Sequence, residues 1–149
     1  MSPLIYGLGS GHFNRLSIQV PLMIRTALKA EQAEVIGEGK GEWDHVHIDD
    51  LVALYELLVA KIVAGEEIPS GEQGFYFSGN GRHTWKDVAQ GVGDALLAVG
   101  VGEGEIKKIS LEEGAERWTN GDTLFAELAF ASKYVLVLVP SSSGLRRIH

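Results

Sequence analysis

Trp43-Asp44-His45-Val46-His47-Ile48-Asp49-Asp50-Leu51 is the stretch on which the reading of this chain turns. Its first half alternates. His45 and His47 fall on one side of an extended strand, Val46 and Ile48 on the other. Asp49-Asp50 then marks a helix start, because a carboxylate there accepts from unpaired backbone N–H groups and faces the positive end of the helix dipole. Leu51, Leu54, Leu58 and Ile62 share one face of that helix, and Gly65 ends it. The pattern points to an α/β or α+β fold with helices around a few short strands.

On the N-terminal side, Leu4-Ile5-Tyr6 reads as a strand end running into a glycine-rich loop with Gly7, Gly9 and Gly11. Apolar residues from Asn14 to Lys29 keep near-helical spacing, with Pro21 either starting or kinking the helix. Glu34-Val35-Ile36-Gly37 reads as a short strand followed by a glycine-rich turn to Glu42. On the C-terminal side, Phe75-Tyr76-Phe77 reads as an aromatic strand and Gly79-Asn80-Gly81 as a turn. Thr84, with Asp87 three residues on, opens a helix from Trp85 to Val99. Ile106 to Ile109 is a short strand. Ser110-Leu111-Glu112-Glu113 is a capping box, and a last helix is expected from Asp122 to Ser132.

The 149 residues suit one domain or part of one, and no internal repeat or inter-domain linker is apparent. Acidic residues outnumber basic ones 20 to 13, for a net charge of −7, which argues against a nucleic-acid partner. There are no cysteines, so disulfides, thiolate nucleophiles and Cys-ligated zinc are excluded, and a reducing, cytoplasmic location is expected. The apolar run Tyr134 to Pro140 is too short to span a bilayer, so no membrane association is expected.

Three readings of the central stretch compete. In the first it is structural, with His47 satisfied by a hydrogen bond and Asp50 capping the helix. In the second, His45, His47 and Asp49 lie on one strand face and meet a metal ion. That spacing is similar to the His-x-His-x-Asp-His motif of metallo-β-lactamase-like hydrolases, although position 50 is Asp where that family has His, and His12, His83 and His149 fall in no ligand pattern.

The third reading rests on three segments in order. Pro3-Leu4-Ile5-Tyr6-Gly7-Leu8-Gly9, Val46-His47-Ile48-Asp49-Asp50-Leu51, and Phe75-Tyr76-Phe77-Ser78-Gly79 followed by His83-Thr84-Trp85 resemble the C-terminal half of the extended short-chain dehydrogenase/reductases, the NAD-dependent epimerase/dehydratase family. The resemblance covers roughly residues 2 to 132. It implies the C-terminal part of an extended Rossmann-type fold without the N-terminal dinucleotide-binding half. It also implies a division into a partial, substrate-side domain over 1–132 and an atypical tail over 133–149.

By the same resemblance, Pro3, Leu4 and Ile5 lie against the nicotinamide of NAD(P). The loop bearing Gly9, Gly11, Asn14 and Arg15 borders a small-molecule substrate. Read from the residues alone, the glycines allow close approach of backbone to a ligand, or form a mere flexible connector. Asn14 either contacts a ligand or caps a helix.

The family's glycine-rich dinucleotide loop and Tyr-x-x-x-Lys pair have no counterpart here. Four residues after Tyr6, Tyr55, Tyr76 and Tyr134 stand Ser10, Val59, Asn80 and Leu138. A tyrosine needs a nearby cation to work as a proton donor or acceptor near neutral pH, and hydride transfer needs a held nicotinamide. No catalytic residue is therefore assigned, and NAD(P) is not expected to bind tightly to this chain alone. Nucleotide-sugar epimerases commonly carry an arginine shortly before the Val-His segment, where Glu42 or Trp43 stands here. That favours a small hydroxy or keto compound over a nucleotide sugar.

The expected function is a partial NAD(P)-dependent epimerase, dehydratase or reductase-family protein, missing its head and carrying an unrelated tail. The alternatives are a non-catalytic interaction domain and a metal-dependent hydrolase. An exposed sheet edge and the charge-free run Tyr134 to Val139 lead to an expectation of self-association.

Overall fold

The computed structural model describes residues 3–133, so the tail expectations, including the run Tyr134 to Val139, lie outside the described residues. Strand β1 (Leu4–Tyr6) leads through a long loop to helix α1 (Gln19–Ala30) and strand β2 (Ala33–Ile36). Strand β3 (Glu42–His47) runs directly into helix α2 (Ile48–Val63). After a single 3-10 turn (Gly71–Gln73) come strand β4 (Gly81–Thr84) and helix α3 (Trp85–Ala98). Strand β5 (Ile106–Ile109) and helices α4 (Leu111–Trp118) and α5 (Thr123–Phe130) complete the described chain.

The strands form two small sheets rather than one. In the first, the order is β1-β3-β4, with β1 parallel to β3 and β4 antiparallel to it. In the second, β2 and β5 run parallel, with Ala33 opposite Ile106 and Ile36 opposite Ile109. Helices α1 and α3 pack on β2 and on each other, and α4 and α5 pack together. The α/β expectation of helices around a few short strands holds.

The core follows from this layering. Met23 and Ala27 of α1, Val35 and Ile36 of β2, Trp85, Ala89, Val92 and Leu96 of α3, and Trp118 and Phe130 form one cluster. Trp85 has no exposed surface, and its ring packs at 5.9 Å from Phe130, which in turn lies 4.9 Å from Trp118. The buried indoles are also satisfied: Trp85 Nε1 donates to the Ser132 carbonyl and Trp118 Nε1 to Thr26 Oγ1. Glu34 is buried on β2 and pairs with Arg117 of α4, an ion pair that removes an otherwise uncompensated buried charge.

Helix starts follow the local chemistry. Thr84 and Asp87 form a complete capping box on α3, and Ser110 and Glu113 another on α4. The hydrogen bonds from Thr84 hold the Asp87 carboxyl below its ordinary pKa. Asp122 caps α5. Pro21 sits in the first turn of α1, where its missing N–H costs nothing.

Three expectations are corrected. Phe75-Tyr76-Phe77 is not a strand; the edge of β3 pairs instead with Gly81–Thr84, and Phe75 and Phe77 stay exposed. Asp49 and Asp50 do not cap α2, because the helix already begins at Ile48 and His47 takes the cap. Asn14 caps no helix, since α1 begins at Gln19. The shared face of α2 is covered only in part: Leu51, Leu54 and Leu58 are half-buried and Ile62 is 59% exposed, because α2 meets little besides β3.

Replacing the fully buried Trp85 with alanine leaves a large cavity at the centre of this cluster. The expected loss is about 3–5 kcal/mol, read as a lower urea midpoint at unchanged slope; a loss under about 1 kcal/mol would place the core elsewhere.

Candidate functional site

Because β1 and β3 are parallel, their carboxyl ends lie side by side. In register, Leu4 faces His45, Ile5 faces Val46 and Tyr6 faces His47. The chain leaves β1 into the loop of residues 7–18 and leaves β3 into α2, so the topology defines a candidate crevice where the two depart. This is where open α/β sheets commonly take ligands.

Alternation fixes which side chains reach it. Val46 is 1% exposed, while His45 and His47 occupy the opposite face of β3 with Tyr6 of β1. The Tyr6 ring makes edge contacts with both imidazoles, at centroid distances of 5.6 Å to His45 and 5.1 Å to His47. Each imidazole lies against a glycine. A Cβ at Gly7 would stand 2.9 Å from His47 Cδ2, and Gly7 has φ +104°; a Cβ at Gly81 would stand 2.9 Å from His45 Cε1. Only glycine leaves room for these rings.

His47 Nδ1 accepts from the Asp49 backbone N–H at 3.3 Å and also lies 3.4 Å from Asp49 Oδ2. One nitrogen cannot do both in one protonation state. Neutral His47 caps the helix through its lone pair, whereas protonated His47 pairs with the carboxylate. Asp50 accepts from the Asn80 side-chain amide, tying the start of α2 to the segment before β4. On the opposite face of the sheet, Asp44 pairs with Arg82 at 2.8 Å, which raises the Arg82 pKa further.

The residues expected to contact a cofactor or substrate are distributed as follows. Leu4 is buried in the core, while Pro3 and Ile5 are half-buried. Gly9 and Arg15 close the loop on each other: the Gly9 N–H donates to the Arg15 carbonyl, and Arg15 Nε donates to the Gly9 carbonyl, both at 2.8 Å. Gly11 and Asn14 are exposed in that closed loop, and Asn14 has φ +50°. Phe13, at 87% exposure, projects between them. The structure thus gathers Gly9, Gly11, Asn14 and Arg15 into one compact loop at the crevice.

Trp43 is a core residue whose Nε1 donates to Ser132 Oγ, and Glu42 pairs with Lys133 at 2.9 Å. Trp43 therefore serves packing, and Glu42 a surface ion pair. Among the described residues no three His, Cys, Asp or Glu side chains are grouped to hold a metal ion, and His45 Nδ1 instead meets His83 Nδ1. Tyr6, Asn80 and His83 were not singled out from the sequence as contributors to this site. The parallel register would have brought out Tyr6; no local signal marks Asn80 or His83.

Residues 1–70 match the model of the NAD dependent epimerase/dehydratase family. The matched segment holds β1, β3 and α2. The chain is 29% identical over 119 residues to Oxidase ucsJ from Acremonium sp., an alignment covering 74% of this chain and 34% of that protein. Two solved structures are similar at a TM-score of 0.49. One is a dTDP-glucose 4,6-dehydratase from Bacillus anthracis in complex with NAD, 20% identical, covering 89% of this chain and 38% of that one. The other is DesIV, a dTDP-glucose 4,6-dehydratase from Streptomyces venezuelae with NAD and TYD bound, 18% identical, covering 91% and 38%. The chain spans about a third of the length of the curated relative it matches.

Removing the cap should loosen α2. His47→Ala is expected to cost about 0.5–2 kcal/mol near neutral pH, and His47→Asn to recover most of it. Chemical denaturation of the three proteins checks this; equal stability of all three would show that the imidazole contributes no cap.

Proposed function

We propose that residues 1–132 are the substrate-side portion of an NAD(P)-dependent epimerase, dehydratase or reductase, acting on a small hydroxy or keto compound and not catalytic alone. The observation that carries this reading is the crevice at the carboxyl ends of β1 and β3, within the segment that matches the family.

A bound dinucleotide would supply the hydride donor or acceptor. Pro3 and Ile5, half-buried at the exposed edge of β1, offer an apolar surface to the face of a flat nicotinamide ring. Leu4 is turned into the core and would contribute only its backbone. The pyrophosphate finds no such welcome. The helix N-terminus at the crevice, that of α2, already carries Asp49 and Asp50 in its first turn, and two carboxylates repel a phosphate there. The residues present therefore suit one end of the cofactor and leave its phosphates to be held by other groups.

On the substrate side, Gly9 and Gly11 permit close backbone approach, and Asn14 and Arg15 supply polar donors. Arg15 Nε is committed to Gly9, which positions the rest of the guanidinium for a carbonyl or hydroxyl oxygen. Leu8, Phe13 and Leu16 are exposed on the same loop. An apolar compound bearing an oxygen function suits this mixture better than a phosphorylated sugar.

A non-catalytic interaction domain is the second reading. The uncovered side of α2, with Val52, Tyr55, Val59 and Val63 exposed, favours it.

A thermal melt of the purified chain with NADH, NADPH and zinc in turn tests the division of labour. A ligand at about ten times its Kd adds about 1.4 kcal/mol of stability. No shift with any of the three is expected. A rise with either dinucleotide would show that the cofactor site is complete within these residues and would overturn the partial assignment. In parallel, amide resonances of Gly9 to Arg15 should move on titration with small hydroxyketones; a loop that responds to none would favour the interaction domain.

A further inference from the structure

His45 on β3 and His83 on β4 meet through their Nδ1 atoms at 2.9 Å. The ring planes are 30° apart with centroids 5.1 Å apart. That separation is too long for face-to-face overlap with so short an Nδ1 contact, and it fits two imidazoles meeting edge to edge in nearly one plane. This is the geometry of an N–H···N hydrogen bond. Whichever ring donates, the bond holds one proton between two nitrogens, so at least one of the two Nδ1 atoms must be bare.

The surroundings make the pair sensitive. His83 Nε2 is buried without a hydrogen-bond partner among the described residues, and the ring stands edge-on to Trp85 at 5.5 Å. Gly81, opposite His45 in the β3–β4 ladder, leaves no slack beside the His45 ring. The pair is therefore a side-chain bolt across the two strands, beside the backbone ladder that runs from Glu42–Thr84 to His45–Gly81.

We propose that the His45–His83 pair is a proton-sensitive latch, which holds β4 on β3 while at least one ring is neutral and releases it when both are protonated. Two protonated rings would present N–H to N–H and place two positive charges head to head. A half-turn of either ring about its Cβ–Cγ bond would relieve this only by putting C–H where Nδ1 stood, which also breaks the bond. Release frees more than β4. The Asn80 N–H donates to the His45 carbonyl, and the Asn80 side chain donates to Asp50 at the start of α2. Opening the latch thus unties the segment that clamps the mouth of the crevice.

The charged groups around the pair set how readily it opens. From β3, Asp44 favours protonation, but its charge is shared with Arg82 of β4. From α3, Asp87 favours it, and from β1 only the uncharged Tyr6 reaches the rings. His47 lies further along the same face of β3, with Asp49 of α2 beyond it. Burial, and then the neighbouring His45, hold the His83 pKa below the ordinary imidazole value despite these carboxylates. The sign follows from a folded-state pKa that is lowered. The latch's stability is fully present above the ordinary imidazole range, near pH 6.5, and is lost as the pH falls through the lower folded value.

Native-state hydrogen exchange of the whole chain, corrected for intrinsic exchange, tests this between pH 7 and pH 5. The amides of Asn80 and of Gly81–Thr84 should lose at least tenfold in protection on acidification, while those of the β2–β5 pair keep theirs. His83→Gln keeps a donor and acceptor without a titrating ring, and in it the β4 loss should disappear. If that variant does not fold, the imidazole resonances of His83 in the natural chain give the same answer, since its titration should coincide with the β4 opening. Protection of β4 that survives to pH 5, that falls in step with β2–β5, or that falls equally in His83→Gln overturns the latch.

Discussion

The parallel pairing of Leu4–Tyr6 with His45–His47 is the constraint on which the site depends. Three residues of register place a tyrosine beside two histidines, bring the departing loop of β1 next to the start of α2, and turn Val46 away to be buried. A slip of one residue would exchange these faces, sending Val46 to the crevice and an imidazole into an apolar layer. The register is held from both sides by shape. Leu4 is locked into the core, and Gly7 and Gly81 admit rings that no other residue would tolerate.

The two sheets divide the labour of the fold. The β2–β5 pair, covered by α1, α3 and α4, holds most of the buried apolar surface and a buried ion pair. The β1-β3-β4 sheet carries polar and titratable side chains, and its helix α2 has no fully buried residue. Burial supplies rigidity to the first sheet, and exposure leaves the second open to ligands, protons or a partner surface. At the start of α2, Asp49 and Asp50 occupy the dipole that would otherwise attract an anion.

What the sequence makes legible here is local. Thr84 with Asp87 and Ser110 with Glu113 announce their helices, because a capping box is complete within four residues. The alternation around Val46 gives the strand and its buried face. The start of α2 misleads: Asp49-Asp50 looks like a cap, yet an imidazole one turn-residue ahead has an acceptor nitrogen in the right place. Phe75-Tyr76-Phe77 misleads more. Aromatic content favours a strand, but strand formation is decided by which segment reaches the free edge of β3, and Gly81–Thr84 does. The His45–His83 bond and the Gly9–Arg15 closure are long-range or loop-specific, and no periodicity encodes them.

The interleaving of the two sheets also bears on how the chain reaches its native state. β2 lies between β1 and β3 in sequence, yet pairs with neither. Its partner β5 is separated from it by nearly half the chain, with α2 and α3 between. No parallel pair here can close as a hairpin, so each sheet must wait for a large loop to be drawn in before any ladder bond rewards it. High contact order of this kind slows folding. During synthesis the apolar β2 and α1 emerge well before β5 and α4 exist to cover them. Such a chain spends a long interval with unpaired strand edges, and its yield in the cell depends on whatever shields those edges until the last helices arrive.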